Sequence, residues 1–335
     1  MAGQIPRPFR GKPPHRNRRA RGVGGVPARQ AGREGPLSPS RPGLLTRPSA
    51  PRWPHLAPRP SHTAESPPTG ATPVPRVIWR GPTATAAPRL VPTETPIALS
   101  YNRTTHAVML GTPADLEDFA IGFSLSEAII ETPADILALD IITIPAGIEC
   151  RMDLAPARLD ALTRRQRRLA GPSGCGLCGL ESLDAAIRPL PRVPPGISLT
   201  PGMVHAAIDS MPPAQALNDA TRAVHAAAFW TPAEGLLALR EDVGRHNALD
   251  KLAGALARQG IAAANGIVLL SSRISIEMVQ KAAIMSAPVV VAVSAPTSLA
   301  IQQADQAGLT LIGIARQDGF EVFTSPNRIA VPHVA

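Results

Sequence analysis

Two cysteines separated by two residues lie in a glycine-rich stretch near the middle of the chain. Cys175 and Cys178 belong to the sequence GPSGCGLCG, which spans residues 171–179. Glycine backbones and small neighbours keep such a loop pliable and open, so a bulky reactant can approach a sulfur atom closely. This environment favours cysteines that react over cysteines that pack in a core.

The Cys-x-x-Cys spacing serves three chemistries: half of a zinc site, a dithiol/disulfide couple, and a cysteine that carries sulfur as a persulfide. Structural zinc usually needs four Cys or His ligands, typically from two such pairs. This chain has only three cysteines, and none of its eight histidines shows the His-x3–5-His spacing. We therefore expect no metal site. A buried, inert pair stays open as an alternative, but the pattern favours thiol chemistry.

The first 90 residues differ in composition from the rest of the chain. They hold 19 of the 38 prolines and 16 of the 34 Lys and Arg residues, with only two acids. Without an apolar period, such a segment buries too little surface to offset its ordering entropy, so we predict a disordered Pro/Arg-rich extension over 1–90. The extension carries a formal charge of +14 and the rest of the chain carries −5, which together give the net charge of +9.

This basic extension could contact nucleic acid, acidic lipid or an acidic partner. A nonessential extension is the simpler interpretation, and we expect no nucleic-acid partner. Neither a signal-peptide core nor 18 consecutive apolar residues occurs, so no membrane span or secretion is predicted. An odd count of three cysteines favours the reducing cytoplasm over a disulfide scaffold.

Residues 91–200 are predicted to form a smaller α+β part that ends in the Cys-x-x-Cys loop. Apolar runs at 97–100 and 106–110 flank a turn-like segment and predict a hairpin. Thr112, Pro113 and Asp115 resemble a helix start, which predicts a helix from 113 to about 130. Strands are predicted at 141–144 and 148–154 by their apolar alternation.

Several side chains of this part receive individual predictions. Cys150 falls on the apolar face of its strand, so we expect a buried structural thiol. Acids on the predicted helix are most simply its solvated face: Glu117, Asp118 and Glu127. Arginines crowd a second predicted helix before the cysteine loop, either as a solvated face or as a docking site for an acidic or phosphate-rich ligand: Arg158, Arg164, Arg165, Arg167 and Arg168.

From residue 236 onward, strands and helices alternate, which predicts a layered α/β domain within 201–335. Such sheets bind ligands beyond the carboxyl ends of their strands, and four polar clusters are predicted there: 241–247, 271–273, 294–298 and 315–319. No dinucleotide fingerprint or Walker A motif occurs. His225 is most simply a core histidine, and the zinc deaminase signature is missing because position 227 is alanine.

The chain resembles the formate dehydrogenase accessory sulfurtransferases, the FdhD family, over about residues 96–329. Four motifs in order carry the resemblance: DLEDFAIGFSLSE at 115–127, GCGLCG at 174–179, EDVGRHNALDK at 241–251 and SAPTSLA at 294–300. The family commonly has Thr-Gly-Gly where this chain has Thr221, Arg222 and Ala223.

The resemblance implies a cytoplasmic protein, related in fold to cytidine deaminases, that tends to form homodimers. It implies that Cys175 accepts sulfur from a cysteine desulfurase as a persulfide, with help from Cys178. The sulfur then passes to the molybdenum cofactor, bis-molybdopterin guanine dinucleotide, before the cofactor enters formate dehydrogenase. The implied cofactor-binding residues are Ile314, Ala315, Arg316, Gln317, Asp318 and Gly319.

Two other functions stay open. A non-catalytic chaperone of the molybdenum cofactor would bind through the α/β pocket, with the thiols incidental. A dithiol oxidoreductase would need Cys178 as much as Cys175, and a reversible disulfide between them. Asp318 is an unexpected acid in the implied cofactor segment because a carboxylate repels phosphate unless it is paired.

Overall fold

The computed structural model describes residues 67–169 and 189–330, without the side chains of 163–169. Seven α-helices lie in these residues: α1 (Leu116–Ser126), α2 (Pro156–Leu169), α3 (Pro201–Asp209), α4 (Ala216–Thr221), α5 (Arg245–Gln259), α6 (Ile276–Ile284) and α7 (Ser298–Ala307). The first six of its twelve strands are β1 (Ala71–Arg80), β2 (Thr83–Pro92), β3 (Thr95–Tyr101), β4 (Thr104–Gly111), β5 (Ile136–Ile144) and β6 (Gly147–Leu154). The others are β7 (His225–Thr231), β8 (Gly235–Asp242), β9 (Ile267–Leu270), β10 (Val289–Ala292), β11 (Thr310–Arg316) and β12 (Gly319–Val322).

A four-stranded sheet with the order β4-β3-β6-β5 follows the N-terminal hairpin. Strand β3 runs parallel to β6, and the other two pairs are antiparallel. One face packs on α1 and α2 around a core that includes Tyr101, Phe119 and Met152. The predicted hairpin, the predicted strand pair and the burial of Cys150 are confirmed.

Helix α1 begins at Leu116, so the predicted start at 113 is wrong. Asp115 occupies the N-cap position in a left-handed conformation, and its side chain makes no capping hydrogen bond. Thr112 does not cap the helix, because its backbone and hydroxyl groups contact Asp242, Val243 and Lys251 instead. Tertiary contacts therefore displaced a local capping pattern.

A six-stranded sheet with the order β12-β11-β10-β9-β7-β8 forms the second half of the fold. Strands β9, β10 and β11 are parallel, whereas β7 pairs antiparallel with both β9 and β8, and β12 pairs antiparallel with β11. Helices α5, α6 and α7 cover one face of this sheet, and α3 covers the other. The predicted α/β class and the alternation of strands and helices after residue 236 are confirmed.

The two sheets are joined by the contact between α1 and α5. Two glycines make this contact close: a Cβ atom on Gly122 would overlap the backbone of Asp250, and one on Gly254 would overlap the backbone of Asp118. The helix backbones therefore touch directly. The division into parts at 91–200 and 201–335 stays a prediction, and all described residues belong to the compact unit Thr63–Ala335.

The hairpin of β1 and β2 corrects the sequence prediction for 1–90, because ordered strands begin at Ala71. The prolines that suggested disorder are compatible with a two-stranded ribbon, where every second backbone N–H points to solvent. Pro73 and Pro75 lie at alternate positions, and Pro75 pairs with Pro88. Residues 1–66 lie outside the description. Within the described residues, no helix has the length and apolar character needed to cross a membrane.

Candidate functional site

The polar clusters predicted from the sequence meet at one edge of the six-stranded sheet. Strands β8, β9, β10 and β11 all end at this edge, and β7 begins there because His225 pairs with Asp242. Hydrogen bonds tie the clusters to neighbouring strands: the Ser271 hydroxyl accepts from the backbone N–H of Ala226 on β7 at 2.8 Å. The Ser294 carbonyl accepts from the N–H of Ile314 at 3.3 Å. This edge, named here the carboxyl edge, is the candidate site.

The implied cofactor segment lies at the turn between β11 and β12. Ile314 has a positive φ of 52°, and the register shifts between Gly313 and Arg316. This irregularity re-aims the chain at the edge of the sheet. Arg316, Gln317 and Asp318 are exposed and can contact a ligand, whereas Ala315 is buried in the core.

A half-buried group of titratable side chains lies at the start of α5. Burial, with the nearby cations of Arg245 and Lys281, lowers the pKa of His246 to about 4. The imidazole is therefore neutral at pH 7, and its Nε2 atom lies 3.9 Å from a carboxylate oxygen of Glu277. Burial and Arg245 also lower the pKa of His225. His225 was predicted to be a core histidine, but it is only half-buried and is the first residue of β7.

Three buried polar atoms in this region have no hydrogen-bond partner among the described residues. They are Nε of Arg245, Nε2 of His246 and Oγ of Ser275. Ser275 precedes α6 and, like Arg245 at the start of α5, lies at a helix N-terminus, where backbone N–H groups favour anions. The sequence prediction missed Ser275 and Glu277. Their position just after the cluster at 271–273 could have indicated them.

A buried polar network fixes the segment that follows β8. Asp242 and Lys251 form an ion pair of 2.7 Å with both side chains fully buried. Asp242 also accepts from the N–H groups of Thr112 and Gly244 and from the Nδ2 atom of Asn247. Because Thr112 follows β4, this network holds the loop of the first sheet against the carboxyl edge of the second.

Asp118 corrects the prediction of a solvated acidic face on α1. Its carboxylate is buried and pairs with Arg240 and Arg258, each at 2.7 Å. Glu117 pairs with Arg258 as well, at 2.5 Å, and this side chain is more than half exposed, as predicted. Asp118 therefore stabilises the junction between α1, α5 and β8.

A cleft of about 360 Å³ opens beside the edge strand β8. Glu241 and Asp115 contribute carboxylates to its lining, together with residues 68–69, 114, 214, 216–217 and 239. Glu241 accepts from the N–H groups of Leu217 and Asn218 at 2.8 Å, and burial raises its pKa. This carboxylate has a structural role at the start of α4, and it is also accessible from the cleft.

Arg222 ends α4 in the left-handed conformation with φ 57°. Glycine adopts this conformation at no steric cost, and it is the residue that the sequence resemblance led us to expect here. Arg222 adopts it instead and forms an exposed ion pair with Asp219.

The predicted reactive thiols, Cys175 and Cys178, lie outside the described residues, as do the arginine side chains of 164–168. Arg158 is described and pairs with Glu131 and Asp135, which favours a structural role for it. Burial raises the pKa of Cys150 to about 12, so its thiol is inert at neutral pH. Among the residues described, no group of three His, Cys, Asp or Glu side chains could hold a metal ion.

The fold is mixed α/β and has polar residues at one edge of its larger sheet, and comparisons with known proteins specify the family. The model of the FdhD/NarQ family matches residues 92–330. A relative from Agrobacterium fabrum named "Sulfur carrier protein FdhD" is 51% identical over 261 residues, which are 76% of this chain and 95% of that protein. A relative of the same name from Brucella abortus is 52% identical over 242 residues, 72% and 90% of the two chains.

The fold is shared with a crystal structure of a candidate formate dehydrogenase accessory protein from Desulfotalea psychrophila. The TM-score is 0.60 at 24% identity, and the likeness covers 78% of this chain and 99% of that one. The chain belongs to the FdhD/NarQ family. The resemblance inferred from the four sequence motifs is confirmed.

Proposed function

We propose that this protein is a sulfur carrier that accepts sulfur as a persulfide on Cys175 and passes it to the molybdenum cofactor. The donor would be a cysteine desulfurase, and the recipient enzyme would be formate dehydrogenase. One observation carries the proposal. The sequence GCGLCG at 174–179 occurs in a chain that is about 50% identical to relatives named as sulfur carriers, and the match covers almost the whole length of those relatives.

The chemistry of the two thiols accounts for both steps. The Cys175 thiolate attacks the outer sulfur of the donor's persulfide, a new S–S bond forms, and the donor cysteine leaves as a thiolate. Release of that sulfur as sulfide takes two electrons. The thiol of Cys178 supplies them when it closes a disulfide with Cys175, which a cellular thiol then reduces.

Bis-molybdopterin guanine dinucleotide is proposed to bind as a substrate at the carboxyl edge. Arg316 offers an exposed guanidinium, which suits phosphate oxygens. The unpartnered Nε of Arg245 and the N-terminus of α5 add positive charge at the same edge. A likeness to cytidine deaminases, a cytoplasmic location and a homodimer belong to the same proposal.

The test is the intact mass of the purified protein after incubation with a cysteine desulfurase and cysteine. We expect a gain of about 32 Da, one sulfur atom, that a reductant removes. Cys175→Ala should lose the gain, whereas Cys150→Ala should keep it because that thiol is buried. If neither the wild type nor Cys150→Ala gains mass, the sulfur-carrier proposal fails.

A maturation assay separates the carrier from a cofactor chaperone. Formate dehydrogenase activity in cells that contain Cys175→Ala should be lost, while binding of the cofactor to this variant persists. Normal activity with Cys175→Ala together with lost activity with Arg316→Ala would indicate the chaperone instead.

A further inference from the structure

The hairpin of β1 and β2, residues 71–92, is named here the arm, and its two faces differ in chemistry. The register of the strands places ten side chains on one face, and all ten are apolar: Ala71, Pro73, Pro75, Val77, Trp79, Ala84, Ala86, Pro88, Leu90 and Pro92. The other face mixes apolar side chains with threonines and with Arg76, Arg80 and Arg89. One face of the ribbon is therefore continuous apolar surface.

No described residue covers the apolar face over most of its length. Trp79 is 70% exposed and Val77 is 39% exposed, and of the ten side chains only Ala71, Leu90 and Pro92 are partly buried. The arm contacts the body through α4, where Arg89 donates to the carbonyl of Thr221 at 2.9 Å. A two-stranded hairpin is marginally stable in water when its apolar face is exposed, and such a face marks an interaction surface.

Large and small side chains are sorted between the two strands. Val77 on β1 lies opposite Ala86 on β2, and Trp79 lies opposite Ala84. The apolar face therefore has a ridge along β1 and a shallow groove along the outer part of β2. A surface with a ridge and a matching groove side by side can be complementary to itself.

A two-fold axis that runs along the arm would place β1 of one copy over β2 of the other. Trp79 would then lie over the partner's Ala84, and Val77 over the partner's Ala86. The mixed face is a poor alternative contact between two copies, because it carries three arginines and residues 67–93 contain no acid. Charge thus directs two arms to meet through their apolar faces.

We propose that the arm is a dimerisation element whose apolar face packs against the same face of a second copy of this chain. The inference rests on the proposed homodimer and assigns its surface, but it does not depend on the sulfur chemistry. The family model matches residues 92–330, so the arm lies just before that match and shares only Pro92 with it.

Sedimentation velocity of the full chain over a concentration series tests the proposal. Wild type should dimerise, and Trp79→Asp should raise the dissociation constant by about tenfold or more, since it replaces the largest apolar side chain of the contact with a charge. Thr85→Asp is the matched control, because it adds the same charge at an exposed position on the other face. It should leave the dissociation constant within about threefold of wild type.

A second variant separates specific packing from general stickiness. Ala84→Leu makes the face more apolar but fills the groove, so specific packing predicts a weaker dimer and nonspecific association predicts a stronger one. An unchanged or stronger dimer with Ala84→Leu would overturn the packing of ridge into groove.

Three further results would overturn the arm as the dimer surface. The first is a monomeric wild type, which would indicate another occupant for the apolar face. The second is a dimer that survives Trp79→Asp, and the third is a dimer that Thr85→Asp weakens as much as Trp79→Asp does. The mass gain expected from persulfide loading should persist in Trp79→Asp. Loss of the dimer is thereby distinguished from failure of the sulfur-carrier proposal.

Discussion

The Nζ atom of Lys251 lies 2.7 Å from Oδ2 of Asp242, and neither side chain is exposed to solvent. Lys251 also donates to the carbonyl of Thr112 at 2.9 Å, while the N–H of Thr112 donates to Asp242 at 2.9 Å. Three chain segments are thus tied together by one buried pair: the end of β4, the end of β8 and the first half of α5. The candidate site begins at the second of these segments.

Lys251→Met should lower the free energy of unfolding by about 3–5 kcal/mol, because it leaves the carboxylate of Asp242 buried without its cation. Urea unfolding followed by circular dichroism measures this. The double variant Asp242→Asn with Lys251→Met should be less destabilised than Lys251→Met alone, since no uncompensated charge remains. A double variant as unstable as the sum of the two single changes would contradict a direct pairing.

The contact between α1 and α5 gives a steric prediction. Gly122→Ala should destabilise the protein by about 2–3 kcal/mol, because the new methyl group would overlap the backbone of Asp250 and the helices would have to separate. Gly202→Ala in α3 is the control, since a Cβ atom on Gly202 would meet only Thr200 Oγ1 at 3.9 Å. Equal stability of the two variants in thermal unfolding would refute the close packing.

The sequence predicted regular elements better than it predicted the contacts between them. The strands and helices after residue 236 were predicted because each has an uninterrupted apolar pattern. Asp118 was assigned to solvent because its helix gives no sign that Arg240 and Arg258, more than 100 residues away in the chain, would pair with it. The predicted helix start at 113, with Thr112 as its cap, was wrong for the same reason.

For the candidate site, too, the sequence predicted the position of the polar clusters but not the contacts that set their properties. The alternation of strands and helices predicts a sheet whose strands end at a shared edge, so the clusters at 241–247 and 294–298 could be placed together in advance. The pKa of His246 could not be predicted, because it depends on burial and on the nearby charges of Arg245 and of Lys281, which lies on another helix. The arm was missed because its prolines are compatible with a strand only once the pairing register is known.

The lowered pKa of His246 predicts a pH dependence of stability. Histidine in the unfolded chain titrates near pH 6.5, whereas His246 in the folded protein titrates near 4. Between these values the unfolded state binds more protons, so this residue's contribution is fully present above about pH 6.5 and is lost as the pH falls towards 4. Of the groups around it, Arg245 and Lys281 disfavour its protonation, and Glu277 favours it.

His246→Gln should therefore reduce the loss of stability between pH 7 and pH 5, relative to wild type. Because the side chain is about one-third exposed, solvent screening makes the effect smaller than the full pKa shift implies. Urea unfolding at the two pH values measures it, with His205→Gln as the control. An identical pH dependence in wild type and His246→Gln would show that the imidazole is not shielded from protonation.

The exposed turn at 316–319 gives a prediction about ligand charge. Arg316→Ala should weaken binding of guanosine diphosphate, the nucleotide portion of the proposed substrate, whereas Asp318→Asn should strengthen it by removing a negative charge near phosphate. Each change should be about two- to fivefold, since both side chains are exposed and screened.

Arg192→Ala is the control, because residue 192 is exposed beside the end of α7, at the opposite edge of the sheet. Isothermal titration calorimetry at low salt measures the three affinities, and high salt should bring them together. If Asp318→Asn weakens binding as much as Arg316→Ala does, the carboxylate contacts the nucleotide directly, and phosphate repulsion is not its role.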